Sequence, residues 1–374
     1  MKIAFCLNKY FPFGGLQRDF IQILSACQKY GHRISVYTMA WDGKIPTNIN
    51  VIIIPVKSYT NHGRNEEFYH HVKTYLTQHL PDVIVGFNKM PGLDIYYAAD
   101  ICYAEKEKGF FYKLTKRYKH YIAYEKSVFD TNSHTKLLML TQHQINNFKK
   151  HYKTPDSRFY LLPPGIDHAR KYDRQIIDAK PIYRKKNAID KDQFLLLQIG
   201  SDFKRKGVDR TLKSIASLPD KLKIKTMLMV VGQDSSTSYQ RLAKKLGIDK
   251  QVLFFYGRND IAELMAAADI LIHPAYQEAA GIVLIEAIAA GLPVITTENC
   301  GYAAYIKHAN CGIIINEPYK QKNLNNALRT SLTNKSLLNQ WFKSACSFAD
   351  AQDLYSLPEK AADIILGCHQ NASI

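Results

Sequence analysis

Short apolar runs alternate with amphipathic stretches along this chain, and the pattern breaks once and restarts. Residues 3–7, 34–38, 51–55, 83–86, 137–140 and 160–162 read as strands, and residues 16–29 have helical periodicity that ends near Gly31. A polar, basic stretch covers roughly 163–192. Strand-like runs then return at 194–199, 228–231, 252–255, 270–273, 293–296 and 312–315. Strand–helix alternation argues a parallel α/β sheet. Two such series predict two Rossmann-like, doubly wound domains, and 374 residues is long for a single core. The expected division is 1–165, 166–350 and a tail of 351–374. Within the tail, 354–366 reads as an amphipathic helix that loop statistics alone place on either domain.

The chemistry concentrates at E-A-A-G-I-V-L-I-E, where Glu278 and Glu286 stand eight positions apart. A glycine and an apolar run separate them. A loop therefore delivers Glu278, and a helix starting near Gly281 carries Glu286 in its second turn. The free N–H groups of that helix start, reinforced by the helix dipole, form an anion site. A carboxylate on each side of a phosphate-holding helix start suits a sugar nucleotide, one for sugar hydroxyls and one for ribose hydroxyls.

Other loops fall where ligands bind in open α/β sheets, beyond the carboxyl ends of strands. The first is N-K-Y-F-P-F-G-G-L-Q-R-D, with Gly14 and Gly15 between strand one and helix one. It is not G-x-G-x-x-G, which disfavours a dinucleotide; a plain turn competes with a phosphate or sugar contact. Asp19 in the first helical turn either complements the helix dipole or accepts from a sugar hydroxyl. The second loop, G-S-D-F-K-R-K-G, gathers Lys204, Arg205 and Lys206. Three bases alone favour a solvated run, but their place after a strand suits a diphosphate whose charge grows as it leaves. Arg258, in Y-G-R-N-D, is a candidate for phosphate or base, and Arg170 is a candidate reaching from the hinge.

Fifty basic and 33 acidic residues give a net charge of +17, which implies an anionic partner: nucleic acid, an anionic membrane or a phosphorylated substrate. No recognised nucleic-acid module accompanies that charge. The seven cysteines are dispersed without zinc spacing, which fits a reducing compartment better than a disulfide framework. Asn8, Lys9 and Tyr10 interrupt the N-terminal apolar run too early for a signal peptide, and no run is long enough to span a membrane. These features predict a cytoplasmic protein. No H-E-x-x-H or D-x-D suggests a metal.

Residues 108–126 combine aromatics with bases. Read as one helix, Phe110, Phe111, Leu114, Tyr118, Tyr121 and Ile122 share a face, and Lys108, Lys113, Lys116, Arg117, Lys119 and Lys126 fall mostly opposite it. That is the pattern of an interfacial helix on an anionic membrane; the competing reading packs the aromatic face on the sheet. His62, in N-H-G-R-N, reads as an ordinary loop histidine.

Taken together, F-P-F-G-G, G-S-D-F-K-R-K-G, F-Y-G-R-N-D, A-A-A-D-I-L-I-H-P-A and the E-x7-E stretch with A-G-L-P-V resemble the GT-B glycosyltransferases of the large retaining group that uses nucleotide sugars, family 4 or group 1. More closely, Y-F-P-F-G-G-L-Q-R-D-F, T-N-H-G-R-N, G-F-N-K-M-P-G-L-D and H-P-A-Y-Q-E-A-A-G-I-V-L are similar to the bacterial lipopolysaccharide core glucosyltransferase I family. The resemblance implies two domains facing across a cleft, with the tail helix crossing back to the first. It implies UDP-glucose as donor, an inner-core heptose of lipopolysaccharide as acceptor, no metal, and a peripheral place at the inner membrane. By motif match, Gly14, Gly15 and nearby N–H groups face the donor, and Arg205 and Lys206 its diphosphate. Glu278, with the backbone of Ala280, Gly281, Ile282 and Val283, faces the glucose, and Glu286 the ribose. Asp19 and Asp100 line the reaction cleft. One departure stands out: many relatives carry a histidine near the fourth strand, where this chain has A-A-D-I-C-Y with Asp100. The lipid-linked acceptor favours membrane contact by Lys113, Lys116, Arg117 and Lys119. Alternatives are another UDP-sugar donor or acceptor, a UDP-sugar epimerase, a nucleic-acid-binding protein suggested by charge alone, or a non-catalytic scaffold.

Overall fold

Two parallel sheets organise the protein, each with helices packed on it. The structure, a computed structural model, describes residues 1–12, 14–105, 109–167 and 180–367. Arg170 and Lys108 lie outside the described residues. The chain divides into two compact units: Met1–Gly165 with Ser356–Ile374, and Ile166–Tyr355.

In the first unit, β1 (Lys2–Tyr10), β2 (Arg33–Trp41), β3 (Asn50–Ile53), β4 (Val83–Gly86), β5 (Ile95–Ala98), β6 (Lys136–Met139) and β7 (Phe159–Leu161) form one sheet in the order β3-β2-β1-β4-β5-β6-β7. Every strand pair in it is parallel. The second unit repeats the plan with β8 (Phe194–Ile199), β9 (Thr226–Val231), β10 (Val252–Phe255), β11 (Ile270–His273), β12 (Val294–Thr297) and β13 (Gly312–Ile315), in the order β10-β9-β8-β11-β12-β13. In both sheets the strand order reverses beside the first strand, which creates a crevice between β1 and β4 and another between β8 and β11.

Parallel strands are buried on both faces, so they read as continuous apolar runs. The runs Val83–Gly86, Phe194–Ile199, Val252–Phe255, Ile270–His273 and Gly312–Ile315 are strands over their full expected length. Strand β5 was not expected: its I-Y-Y-A has tyrosines where aliphatic residues mark its neighbours, yet all four side chains are buried. Strands β1 and β2 run longer than their apolar runs, because polar residues continue the pairing out to Tyr10 and Trp41, whose rings stack at 4.0 Å.

The tail forms the helix Leu357–Leu366, which packs on the first helix, Gly15–Lys29, within the first unit. Leu357, Ala361, Ala362 and Ile365 are its buried apolar stripe. His62 is not in a loop: it is the second residue of the helix Asn61–His79, whose Thr60 hydroxyl caps the Gly63 amide.

The basic aromatic stretch is two helices rather than one, Phe110–Lys113 and Lys116–Phe129. Thr115 starts the second by accepting a hydrogen bond from the Tyr118 amide, and an N-cap residue leaves helical geometry. The single apolar face expected from the wheel is therefore divided. Phe110, Phe111 and Leu114 are exposed, at 72%, 84% and 56%. Tyr118, Tyr121 and Ile122 are half-buried, with Tyr118 and Tyr121 against the Tyr103 ring. Packing of the whole aromatic face on the sheet is thus excluded for the three exposed residues. Among the described residues no helix is long and apolar enough to cross a membrane.

Candidate active site

The crevice between β8 and β11 gathers Arg205, Lys206 and Glu278. The loop after β8 turns through Gly200 and Gly207, and Gly207 enters the helix Val208–Ala216 with φ +73°. A Cβ at Gly207 would stand 2.1 Å from the carbonyl oxygen of Pro274, so only glycine lets this loop press on the loop after β11. The amide of Tyr276 donates to the carbonyl of Arg205 at 2.8 Å and ties the two loops together.

That tie brings Glu278 onto the basic loop. Arg205 Nη1 donates to Glu278 Oε2 at 2.6 Å, and Lys206 Nζ donates to the same oxygen. Asp202 holds the other side of the Arg205 guanidinium, with Nε donating at 2.9 Å. Lys204 points to solvent, so the triple run divides: one base is solvated and two turn inward. Burial by itself would push the Glu278 carboxyl up; Lys206 and then Arg205 overcome this and hold it below its ordinary value. The site therefore pairs an ionised carboxylate with two cations.

Past Glu278 the chain bends through Gly281, φ +83°, into the helix Ile282–Ala289. A Cβ at Gly281 would meet Glu278 Cγ at 3.3 Å. The N–H groups of the first helical turn, at Ile282 and Val283, lack helical acceptors and lie beside Glu278 in the chain. Ala280 is fixed by its carbonyl, which accepts from the Tyr302 amide at 2.7 Å. Glu286 is buried in the second turn of this helix.

Two supporting residues were not anticipated from sequence. Arg210 is buried with its guanidinium 3.6 Å from each of the Tyr276 and Tyr319 rings, and it donates to the carbonyls of Pro274 and Ala275 at 3.2 Å. It clamps the loop that carries Glu278. His273, at the end of β11, is fully buried, and neither ring nitrogen has a hydrogen-bond partner among the described residues. Burial first, then Lys206, pushes its pKa down to about 3, while Glu278 pulls the other way. The only hint in the sequence was a histidine closing an otherwise aliphatic run.

Arg258 sits elsewhere. It follows β10, the edge strand, two places from the crevice, and Asp260 grips it at 2.7 and 2.5 Å.

The matching crevice of the first unit is lined by neutral amides. The Asn8 amide donates to Asn88 Oδ1 at 2.7 Å, and Asn8 Nδ2 donates to Asn65 Oδ1 at 3.2 Å. Gly14 caps the helix Gly15–Lys29. Asp19 is the fifth residue of that helix, so it lies beyond the first turn and the helix-dipole role expected of it weakens. The Tyr97 hydroxyl donates to Asp19 Oδ2 at 2.7 Å, and Tyr97 belongs to β5, the strand that sequence reading missed. Asp100 is exposed two residues beyond β5, not after the fourth strand, and its carbonyl accepts from Gln144 at 3.1 Å. Lys113, Lys116, Arg117 and Lys119 are all exposed. Among the described residues no group of three or more His, Cys, Asp or Glu is arranged to hold a metal ion.

Comparison with known proteins places this geometry. Residues 179–347 match the family Glycosyl transferases group 1, and residues 13–170 match Glycosyltransferase Family 4. The chain is 59% identical over 370 residues to the lipopolysaccharide glucosyltransferase WaaG of Escherichia coli K12, covering 98% of this chain and 99% of that one. A crystal structure of WaaG, a glycosyltransferase involved in lipopolysaccharide biosynthesis, superposes with a TM-score of 0.94 over 98% of this chain and 100% of that one. Anabaena HepE in complex with UDP and glucose shares the fold at a TM-score of 0.77 and 19% identity, over 98% of this chain and 100% of that one. The chain belongs to the group 1 glycosyltransferases, in the family of this lipopolysaccharide glucosyltransferase, and its fold is GT-B.

Proposed function

We propose that this glycosyltransferase moves glucose from UDP-glucose to an inner-core heptose of lipopolysaccharide, with retention, at the cytoplasmic face of an anionic membrane. The observation that carries the reading is the convergence of Arg205, Lys206 and Glu278 at one crevice, ahead of the helix that starts after Gly281. The name of the 59% identical relative supports glucose and lipopolysaccharide.

In this reading residues 166–350 hold the donor, residues 1–165 hold the acceptor, and residues 351–374 belong with the acceptor side. When the diphosphate arrives, Arg205 and Lys206 turn from Glu278 to the phosphates. Glu278 is then free to accept hydrogen bonds from glucose hydroxyls, beside the amides from Ala280 to Val283. Glu286 takes the ribose hydroxyls. Gly14 and Gly15 are candidate donor contacts, Arg170 and Arg258 are further candidates for its phosphate or base, and Asp19 and Asp100 meet the acceptor. The bond from the anomeric carbon to the diphosphate oxygen breaks. The acceptor oxygen bonds the same face of that carbon, and the acceptor proton leaves to an oxygen of the departing UDP. Two carboxylates across the scissile bond, as in glycosidases, are not needed. The protein acts by positioning and by stabilising diphosphate charge, and Arg205 and Lys206 supply that without a metal. The four bases Lys113, Lys116, Arg117 and Lys119, with exposed Phe110, Phe111 and Leu114, suit an anionic bilayer surface.

The test is UDP release from UDP-glucose with a core-truncated lipopolysaccharide ending in heptose. Acceptor-dependent release that Glu278→Ala and Lys206→Ala both strongly reduce is the expected result. Release only with another UDP-sugar discards glucose. Silence with every donor from a folded protein discards transfer.

A further inference from the structure

We propose that Glu125 is a positioning residue for the acceptor, joining the membrane-facing helix to the loops that present Asn88 and Asp100. The inference rests on the acceptor role given above to the first unit.

Glu125 lies on the helix Lys116–Phe129 and is completely buried. Its Oε2 accepts from Lys89 Nζ at 2.6 Å and from the Tyr103 amide at 2.7 Å. Its Oε1 accepts from the Ala104 amide at 2.9 Å and the Tyr152 hydroxyl at 2.7 Å, with the Cys102 thiol at 3.5 Å. Five donors from three separate segments thus converge on one carboxylate. Burial alone would raise its pKa; Lys89, with the hydrogen bonds from the Tyr103 amide and the Tyr152 hydroxyl, outweighs that and keeps it below the ordinary value.

The identity of those segments is what matters. Lys89 follows Asn88, whose side chain holds the Asn8 amide at the crevice between β1 and β4. Lys89 also donates to the Ile101 carbonyl at 3.2 Å. Tyr103 and Ala104 lie three and four residues after Asp100 in the stretch that follows β5. Tyr152 ends the helix Gln142–Tyr152, whose Gln144 donates to the carbonyls of Ala98 and Asp100 at 2.9 and 3.1 Å. On the same helix as Glu125, about two turns toward its start, Lys116, Arg117 and Lys119 face solvent. One end of the helix presents the lipid-facing bases, and the other end fixes both loops at the acceptor crevice.

A stability role alone is a poor account of this arrangement. Replacing a buried ion pair by apolar residues of like volume is often neutral or stabilising, so a stability role does not by itself account for the pair. A carboxylate saturated by donors fixes the relative placement of loops, which an apolar side chain cannot do.

The test uses the full chain with Glu125→Gln, the double variant Glu125→Gln/Lys89→Met, and Tyr152→Phe. Glu125→Gln leaves Lys89 buried without its counter-charge, so it loses stability as well as function; the double variant removes that charge and recovers thermal stability. The expected result for the double variant is faster hydrogen exchange at the Tyr103 and Ala104 amides. Its kcat/KM for the truncated lipopolysaccharide falls at least about tenfold, the size of one lost charge-assisted hydrogen bond, while its KM for UDP-glucose and its affinity for UDP stay unchanged. Tyr152→Phe falls between wild type and the double variant. Wild-type acceptor kinetics in a double variant of restored stability overturn the proposal, as do equal losses toward donor and acceptor. A wild-type protein that transfers nothing to the acceptor strikes the functional reading itself, and that outcome is read in a separate arm.

Discussion

The two sheets share strand order around their first strand, yet their crevices carry different chemistry. Between β8 and β11, two cations and one carboxylate meet within hydrogen-bond reach. Between β1 and β4, Asn8 donates to both Asn88 and Asn65, and the nearby carboxylate of Asp19 is held by a tyrosine hydroxyl. The same fold thus sets concentrated charge at one crevice and neutral donors and acceptors at the other. On the proposed function, the nucleoside diphosphate sugar belongs to the first and the sugar acceptor to the second. Topology supplies the location in both cases, and the loops supply the chemistry.

The largest effect that would break this contrast is expected at Lys206. Its side chain is 11% exposed, so its charge acts in a poorly screened setting. Lys206→Ala is expected to lower turnover by roughly 10²–10³-fold, the loss typical of one preorganised electrostatic group. UDP should bind more weakly, whereas uridine, which lacks the phosphates, should bind as before. Equal weakening of UDP and uridine in a binding titration would show that Lys206 shapes the pocket rather than meeting the diphosphate.

The next effect is on stability against pH. His273 ends β11, where the matching strand β4 ends in Gly86. Its folded pKa is near 3, from an ordinary 6.5, because it is buried and Lys206 stands near. The unfolded chain therefore binds a proton that the folded chain refuses. Nothing is lost above about pH 6.5, and stability falls as pH drops below that toward 3. Between pH 6.5 and 5 this group accounts for about 2 kcal/mol. Glu278 and Glu125, held below their ordinary range, add losses at lower pH. His273→Leu removes two ring nitrogens that lack partners among the described residues and should flatten the curve between pH 7 and 5. Urea denaturation of both proteins across that range is the check, and an unchanged slope in the variant would remove His273 from the account.

These crevices were unequally visible in the sequence, for physical reasons. The strand runs of the second unit were plain because strands buried on both faces become uninterrupted aliphatic sequence. The helix after Gly281 was plain because a glycine met an apolar run. The pairing of Glu278 with Lys206 spans 72 residues and exists only once two loops are packed. Asp19 was visible, but its partner Tyr97 was hidden with β5, whose tyrosines mask a strand. In the basic aromatic stretch, helical periodicity ran through Leu114 and Thr115 and concealed the cap that divides it. The convergence of donors on Glu125 had no local signal at all, since glutamate in an amphipathic helix usually faces water.

The smallest expected effect sharpens the contrast from the neutral side. Asn65 accepts from Asn8 Nδ2 at 3.2 Å, a partly buried bond between uncharged groups. Such a bond contributes about 0.5–1.5 kcal/mol, so Asn65→Ala should change acceptor handling by no more than about tenfold. Because no charge is removed, the change should be insensitive to salt, unlike a loss at Lys206 seen through a diphosphate. KM for the truncated lipopolysaccharide should rise while UDP affinity holds. A larger fall in UDP affinity than in acceptor kinetics would mean that the neutral crevice also serves the nucleotide, and the division between a charged site and an uncharged one would have to be redrawn around the amides of Asn8, Asn65 and Asn88.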